Sequence, residues 1–127
     1  MLSDANVTRL DQEQWLSLLQ RLIHEPASPV LVKRSGSRFD LDADVFAEAV
    51  LIYRLPGEEN FTERTLRIVQ VSESGVMLRS SFGLPRGLDV LAHFHIADTR
   101  SAVLARVMHS TDTLGGYKIG LRLLLDR

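Results

Sequence analysis

The stretch "VKRSGSRFD", residues 32–40, sets Arg34 and Arg38 four positions apart around Ser-Gly-Ser. A guanidinium is a rigid, permanently charged fork that matches phosphate and carboxylate oxygens. Two of them on a short glycine-bearing loop suit either a solvated linker or a clamp for a small anion. The other residues that could do chemistry make weaker groups. His93 and His95 are two apart and share one face of a predicted strand, with His109 on another. Three imidazoles can hold a metal with an open position, yet no carboxylate is placed to support them, so a polar strand face is expected and no metal. Asp40, Asp42 and Asp44 alternate along one predicted strand and read as a solvated edge. "SESG" around Ser72 is not the nucleophile turn G-x-S-x-G, and Ser72 has no sequence-marked base. "DTLGGY" lacks the strand–helix setting of a phosphate cradle and reads as a hairpin turn. No catalytic residue is assigned, and an enzyme is not expected.

The elements that must position these residues can be read from periodicity. "DQEQWLSLLQRLIHEP" carries Trp15, Leu18, Leu19, Leu22 and Ile23 at the i, i+3, i+4, i+7, i+8 spacing of one helix face. Asp11 and Gln14 form a capping-box pair at its start, and Pro26 stops it. The stripe must cover something: the sheet downstream, or a second copy of itself, which makes a homodimer through this helix the alternative. "PASPVLVKRSGSR" is a linker with one short extended piece. From Phe39 to Tyr53 the odd positions are apolar and Asp40, Asp42, Asp44 and Glu48 fall between them. That period of 2 predicts a strand, against a competing helix through "DADVFAEAVLIY". Beyond the turn "LPGEENFTE", short apolar runs ("TLRIVQV", "VMLR", "LDVLAHFHI", "AVLARVMH", "YKIGLRLLL") alternate with glycine-bearing breaks. Val90, Ala92, Phe94 and Ile96 share one face, as do Val103, Ala105 and Val107. Such spacing indicates an antiparallel sandwich or small barrel.

Bulk properties bound the rest. At 127 residues and 45% hydrophobic the chain can bury one core, so a single domain with one appended element is expected. No window reaches the roughly 18 apolar residues of a membrane span. The polar, acidic start "MLSDANVTRLDQEQ" does not read as a signal peptide. There is no cysteine, so disulfides and thiolate sites are out, and a cytoplasmic location is expected. A net charge of −1 with 6% aromatics argues against a nucleic-acid binder. Of the 15 cations only Lys33 and Lys118 are not arginine, a choice suited to bidentate recognition of phosphate or guanine.

Three features stand in a fixed order: Arg34-x-x-x-Arg38 ahead of the first strand, Gln70-x-Ser72-x-x-Gly75 in a tight turn, and the closing strand "YKIGLRLLL" with Gly120. In that order the chain resembles the PilZ domain, a bacterial family of cyclic di-GMP receptors, over about residues 30–126. The resemblance implies a mainly β fold: a six-stranded antiparallel barrel spanning 30–127, with the helix and linker of 1–29 outside it. It implies that Arg34 and Arg38 clamp phosphate and guanine faces, and that Ser72 and Gly75 line the ligand. The family places Asp or Asn where this chain has Gln70, so its second motif is degenerate. Gln70 keeps an acceptor carbonyl but adds a methylene to the arm that would reach the guanine edge. Two functions are therefore expected as alternatives. One is a cytoplasmic cyclic di-GMP receptor or adaptor that needs no cofactor and signals to a partner protein. The other is a barrel that has lost the nucleotide and serves as a protein-interaction module.

Overall fold

A computed structural model describes residues 8–24, 31–35, 38–41 and 45–125, with backbone alone at 8, 23, 24 and 31–35. The order is β1 (Thr8–Arg9), α1 (Gln12–His24), β2 (Leu31–Ser35), β3 (Arg38–Leu41), β4 (Ala47–Tyr53), β5 (Thr62–Val71), β6 (Gly75–Ser80), β7 (Asp89–Ile96), β8 (Thr99–Thr113) and β9 (Gly116–Leu123).

Six strands close on themselves. β4 pairs with β5, β5 with β6, β6 with β9, β9 with β8, β8 with β7 and β7 with β4, every pair antiparallel. Alternation along each strand sends one set of side chains inward. In β4 these are Ala47, Ala49, Leu51 and Tyr53; in β7 they are Val90, Ala92, Phe94 and Ile96. The fold is a six-stranded antiparallel barrel, one of the two architectures that the alternation allowed and the one that the resemblance implied. The apolar run from Phe39 to Tyr53 is not one strand, however. β3 stops at Leu41 and β4 starts at Ala47, with Asp42–Asp44 outside the described residues. The two pieces share a partner: β3 pairs with the last residues of β5 and β4 with the first six. β2 completes a hairpin with β3, and β1 adds a short parallel pairing to β8.

α1 begins as its sequence dictates. Asp11 Oδ1 accepts from the Gln14 amide at 2.8 Å, and Gln14 Oε1 accepts from the Asp11 amide at 3.0 Å. The reciprocal pair satisfies backbone donors that the first turn leaves free. Trp15, Leu18, Leu19 and Leu22 are buried in the same cluster as the barrel interior. Trp15 is fully buried, its ring centroid 6.0 Å from that of Phe94 on β7. Its indole N–H donates to the Ser72 carbonyl in the β5–β6 turn at 3.0 Å. The helix therefore seals the barrel end where β5 and β7 finish and β6 and β8 begin. This corrects the alternative use of the stripe: those four side chains are spent on the barrel, so a homodimer through them would require α1 to leave it.

Trp15→Ala removes both the plug and the indole hydrogen bond. We expect a loss of about 3–5 kcal/mol, the range for truncating a buried aromatic, in urea unfolding followed by circular dichroism. A loss below about 1 kcal/mol would show that the barrel closes without α1.

Candidate functional site

β5 and β8 each carry a polar residue at a position that strict alternation assigns to the core. In β5 the inward series Leu66, Ile68 would continue to Gln70; in β8 the series Val103, Ala105, Val107 would continue to His109. Neither goes inward. The β5–β6 register shifts between Ile68 and Gln70, and the β8–β9 register shifts between Val107 and His109. An extra residue on one strand, Val69 and Met108 respectively, is a β-bulge, and it inverts the facing of the residues beyond it. Gln70 comes to lie opposite Met77, and His109 opposite Gly120, which itself pairs with Met77. One row, Gln70–Met77–Gly120–His109, thus crosses four strands on the outer wall.

An open cleft of about 380 Å³ lies over this row. Arg38 borders it from β3, Ser72 and Gly75 from the β5–β6 turn, and Arg122 from β9. No carboxylate is among its described lining residues, and among the described residues neither Arg38 nor Arg122 forms an ion pair. Among the described lining residues the two guanidiniums face no carboxylate, which gives the cleft a positive wall suited to an anion.

Each predicted residue has a definite place. Arg38, Gln70, Ser72 and Gly75 all line the cleft. The Arg34 side chain lies outside the described residues. Its backbone is on β2, between Lys33, paired with Phe39, and Ser35, paired with Arg38. Gln70 is buried, and its amide donates to Asp40 Oδ1 on β3 at 2.9 Å. Asp40 is thus half-buried and tied to the barrel, where the sequence suggested a solvated edge. The Ser72 hydroxyl accepts from the Gly75 amide at 3.2 Å, while the Gly75 carbonyl accepts from the Ser72 amide at 2.9 Å. Gly75 does not have a positive φ. It is glycine because a Cβ there would run into the Leu121 carbonyl on β9. Of the two roles a turn glycine can have, close approach is the one used.

His109, Arg122, Met77 and Met108 were not anticipated as site residues. A polar residue at core parity, as His109 is, signals either a buried partner or a bulge, and here it marked a bulge. The three histidines do not converge: His93 and His95 lie opposite Ala102 and Arg100, and His95 packs edge-on to Phe46 with centroids 4.8 Å apart. The described residues contain no group of three or more metal-ligating side chains. "DTLGGY" is the β8–β9 hairpin turn, with Gly116 at φ 133°. Away from the cleft, burial holds the Tyr53 hydroxyl above its ordinary value. The Arg106 guanidinium hydrogen-bonds Asp89 at 2.8 and 3.4 Å and holds that carboxyl below its own.

Compared with known proteins, the chain matches no family model, no curated protein and no solved structure. No described helix is long and apolar enough to cross a membrane.

The Gly75 contact gives a direct test. Gly75→Ala sets a methyl against backbone and should cost about 1–3 kcal/mol, the overpacking range, in urea unfolding. Gly120→Ala meets the His109 ring first, a side chain that can swing aside, and should cost less. Equal losses would mean that the Leu121 approach is not what requires Gly75.

Proposed function

We propose that this chain is a small PilZ-type receptor for cyclic di-GMP that passes ligand binding at the Arg34–Arg38 hairpin to a partner protein. The observation that carries the reading is the cleft itself: Arg38, Gln70, Ser72 and Gly75 border one surface with no carboxylate among its described lining residues. Cyclic di-GMP carries two phosphates and two guanines. Arginine forks pair with phosphate and with the O6 and N7 acceptors of guanine, and also stack on purine faces. Residues that bring the two guanidiniums of Arg38 and Arg122 to one such surface match that mixture of anion and base.

Transmission to a partner has a short route. Ser72 holds its turn to Gly75 through its hydroxyl and backbone, and its carbonyl receives the Trp15 indole. A ligand that pulls on the 72–75 turn acts on the residue that seats α1. The hairpin has its own tie to the barrel through the Asp40–Gln70 hydrogen bond, so binding at Arg38 loads β5 as well. A partner that reads the exposed face of α1 would sense both.

A second reading, a barrel that has lost the nucleotide and acts as an interaction module, is favoured by one observation. The Gln70 amide is already engaged by Asp40, so the residue that replaces the family's Asp or Asn is used for structure.

Calorimetric titration of cyclic di-GMP separates the two. The receptor predicts micromolar or tighter binding, weakened about ten- to a hundredfold by Arg34→Ala or Arg38→Ala, the loss expected for a charge-assisted hydrogen bond. Absence of heat in the wild type, together with unmoved amide resonances, would leave the interaction module. Trp15 is the only tryptophan, so its emission should shift on saturation; unchanged emission alongside tight binding would refute transmission through Ser72.

A further inference from the structure

We infer that His109 is a stacking platform for a planar heterocycle, so that one base of the ligand lies face-to-face on its imidazole. The inference rests on the receptor reading and assigns a residue that the two sequence motifs do not contain. Its basis is the geometry over Gly120. A Cβ built on Gly120 would meet His109 Nε2 first, with both flanking ring atoms, Cε1 and Cδ2, at nearly equal distances of 2.7 and 2.8 Å. A ring approaching tip-on would hold those two atoms well behind Nε2. Because both carbons lie only slightly farther away than Nε2, the ring presents its face, at the Nε2 corner, to the space beside Gly120. His109 is exposed and lines the cleft, and we assign the ring face away from Gly120 to the ligand. Any side chain at position 120 would lift the ring from this seat.

The surroundings fit a purine base rather than a bare anion. Met77 flanks Gly120 on β6, and Met108, the bulge residue, adjoins His109. Both line the cleft, and thioethers make favourable contacts with aromatic edges. Arg122, on the same strand as Gly120, is placed for the phosphate of a nucleotide stacked on the ring. An inorganic anion would use the arginines and gain nothing from a flat imidazole between two methionines.

The simplest competing role is structural, an aromatic ring covering a cross-strand glycine. Titration of cyclic di-GMP into the wild type, His109→Ala and His109→Phe distinguishes the two, with thermal melts of each. The platform predicts that His109→Ala weakens binding about tenfold, within the range for base–aromatic stacking. His109→Phe, which keeps the flat ring and loses its nitrogens, should stay within about threefold of wild type. Ligand should also shift the His109 Hε1 and Hδ2 proton resonances of the wild type upfield. Unchanged affinity in His109→Ala, whatever its melting temperature, would leave the receptor standing and reduce His109 to a cover for Gly120. A His109→Phe variant as weak as His109→Ala would show that a nitrogen, not the ring face, makes the contact, and would overturn the platform. A wild type that binds no cyclic di-GMP would remove both the receptor reading and the platform.

Discussion

The bulges at Val69 and Met108 decide on which side of the barrel wall Gln70 and His109 stand, and the cleft depends on that. A barrel interior this small has no place for an amide or an imidazole without partners, since a buried polar group left unpaired costs about 1–3 kcal/mol. Continuing either strand in regular register would put one there. Each bulge adds a residue, bends its strand and turns the polar side chain outward. Closing six strands also needs local curvature, which bulges supply. The same irregularities thus help close the wall and furnish its outer row, so the floor of the cleft is barrel strand and the β5–β6 turn borders it.

The fold was largely legible because its signals are local and mutually consistent. The capping pair Asp11/Gln14, the Trp15 stripe and the alternating runs of β4, β7 and β8 each name an element from neighbours in the chain. What escaped was non-local. From Phe39 to Tyr53 every odd position is apolar, and nothing in that pattern says that β3 and β4 take successive stretches of β5 as partner. The site divided in the same way. Arg38, Gln70, Ser72 and Gly75 were picked out through the family resemblance that their short motifs carry, whereas Arg122 and His109 reach the cleft only through strand pairing. Arg122 looks like any exposed residue of an alternating strand until its register opposite Gly75 is known.

Electrostatics explains why this face, among several that carry arginine, is the one suited to an anion. Arg106 lies directly across from Arg122 in the β8–β9 ladder, and like charges so placed repel. Arg106, however, is also opposite Asp89 in the β7–β8 ladder and is neutralised by it. Arg122, beyond Arg106 in the same row, has Gly75 on its other side, a residue with no side chain to answer it. The row therefore runs carboxylate, guanidinium, guanidinium, glycine, and its uncompensated charge falls at the cleft. Because this pair of ion partners is largely solvent-exposed, it contributes little to stability, and its role is to set where positive charge remains.

Gln70 is the point at which fold and function compete for one side chain. Its amide binds Asp40 across the β3–β5 pairing, which joins the arginine hairpin to the barrel with more than the two-residue register alone. A shorter Asp or Asn at this position would sit closer to its own backbone and could not make the same reach to β3 without displacement. The added methylene then has a structural reason: it fixes the strand that begins with Arg38. Under the proposed receptor reading, a Gln at this position transfers work from direct recognition to preorganisation. An arginine held in place loses less conformational freedom on binding than one on an unanchored hairpin. On that reading, a better-placed Arg38 takes over part of the work of the direct hydrogen bond that Gln70 does not give, and base recognition falls to His109 at the other end of the same row.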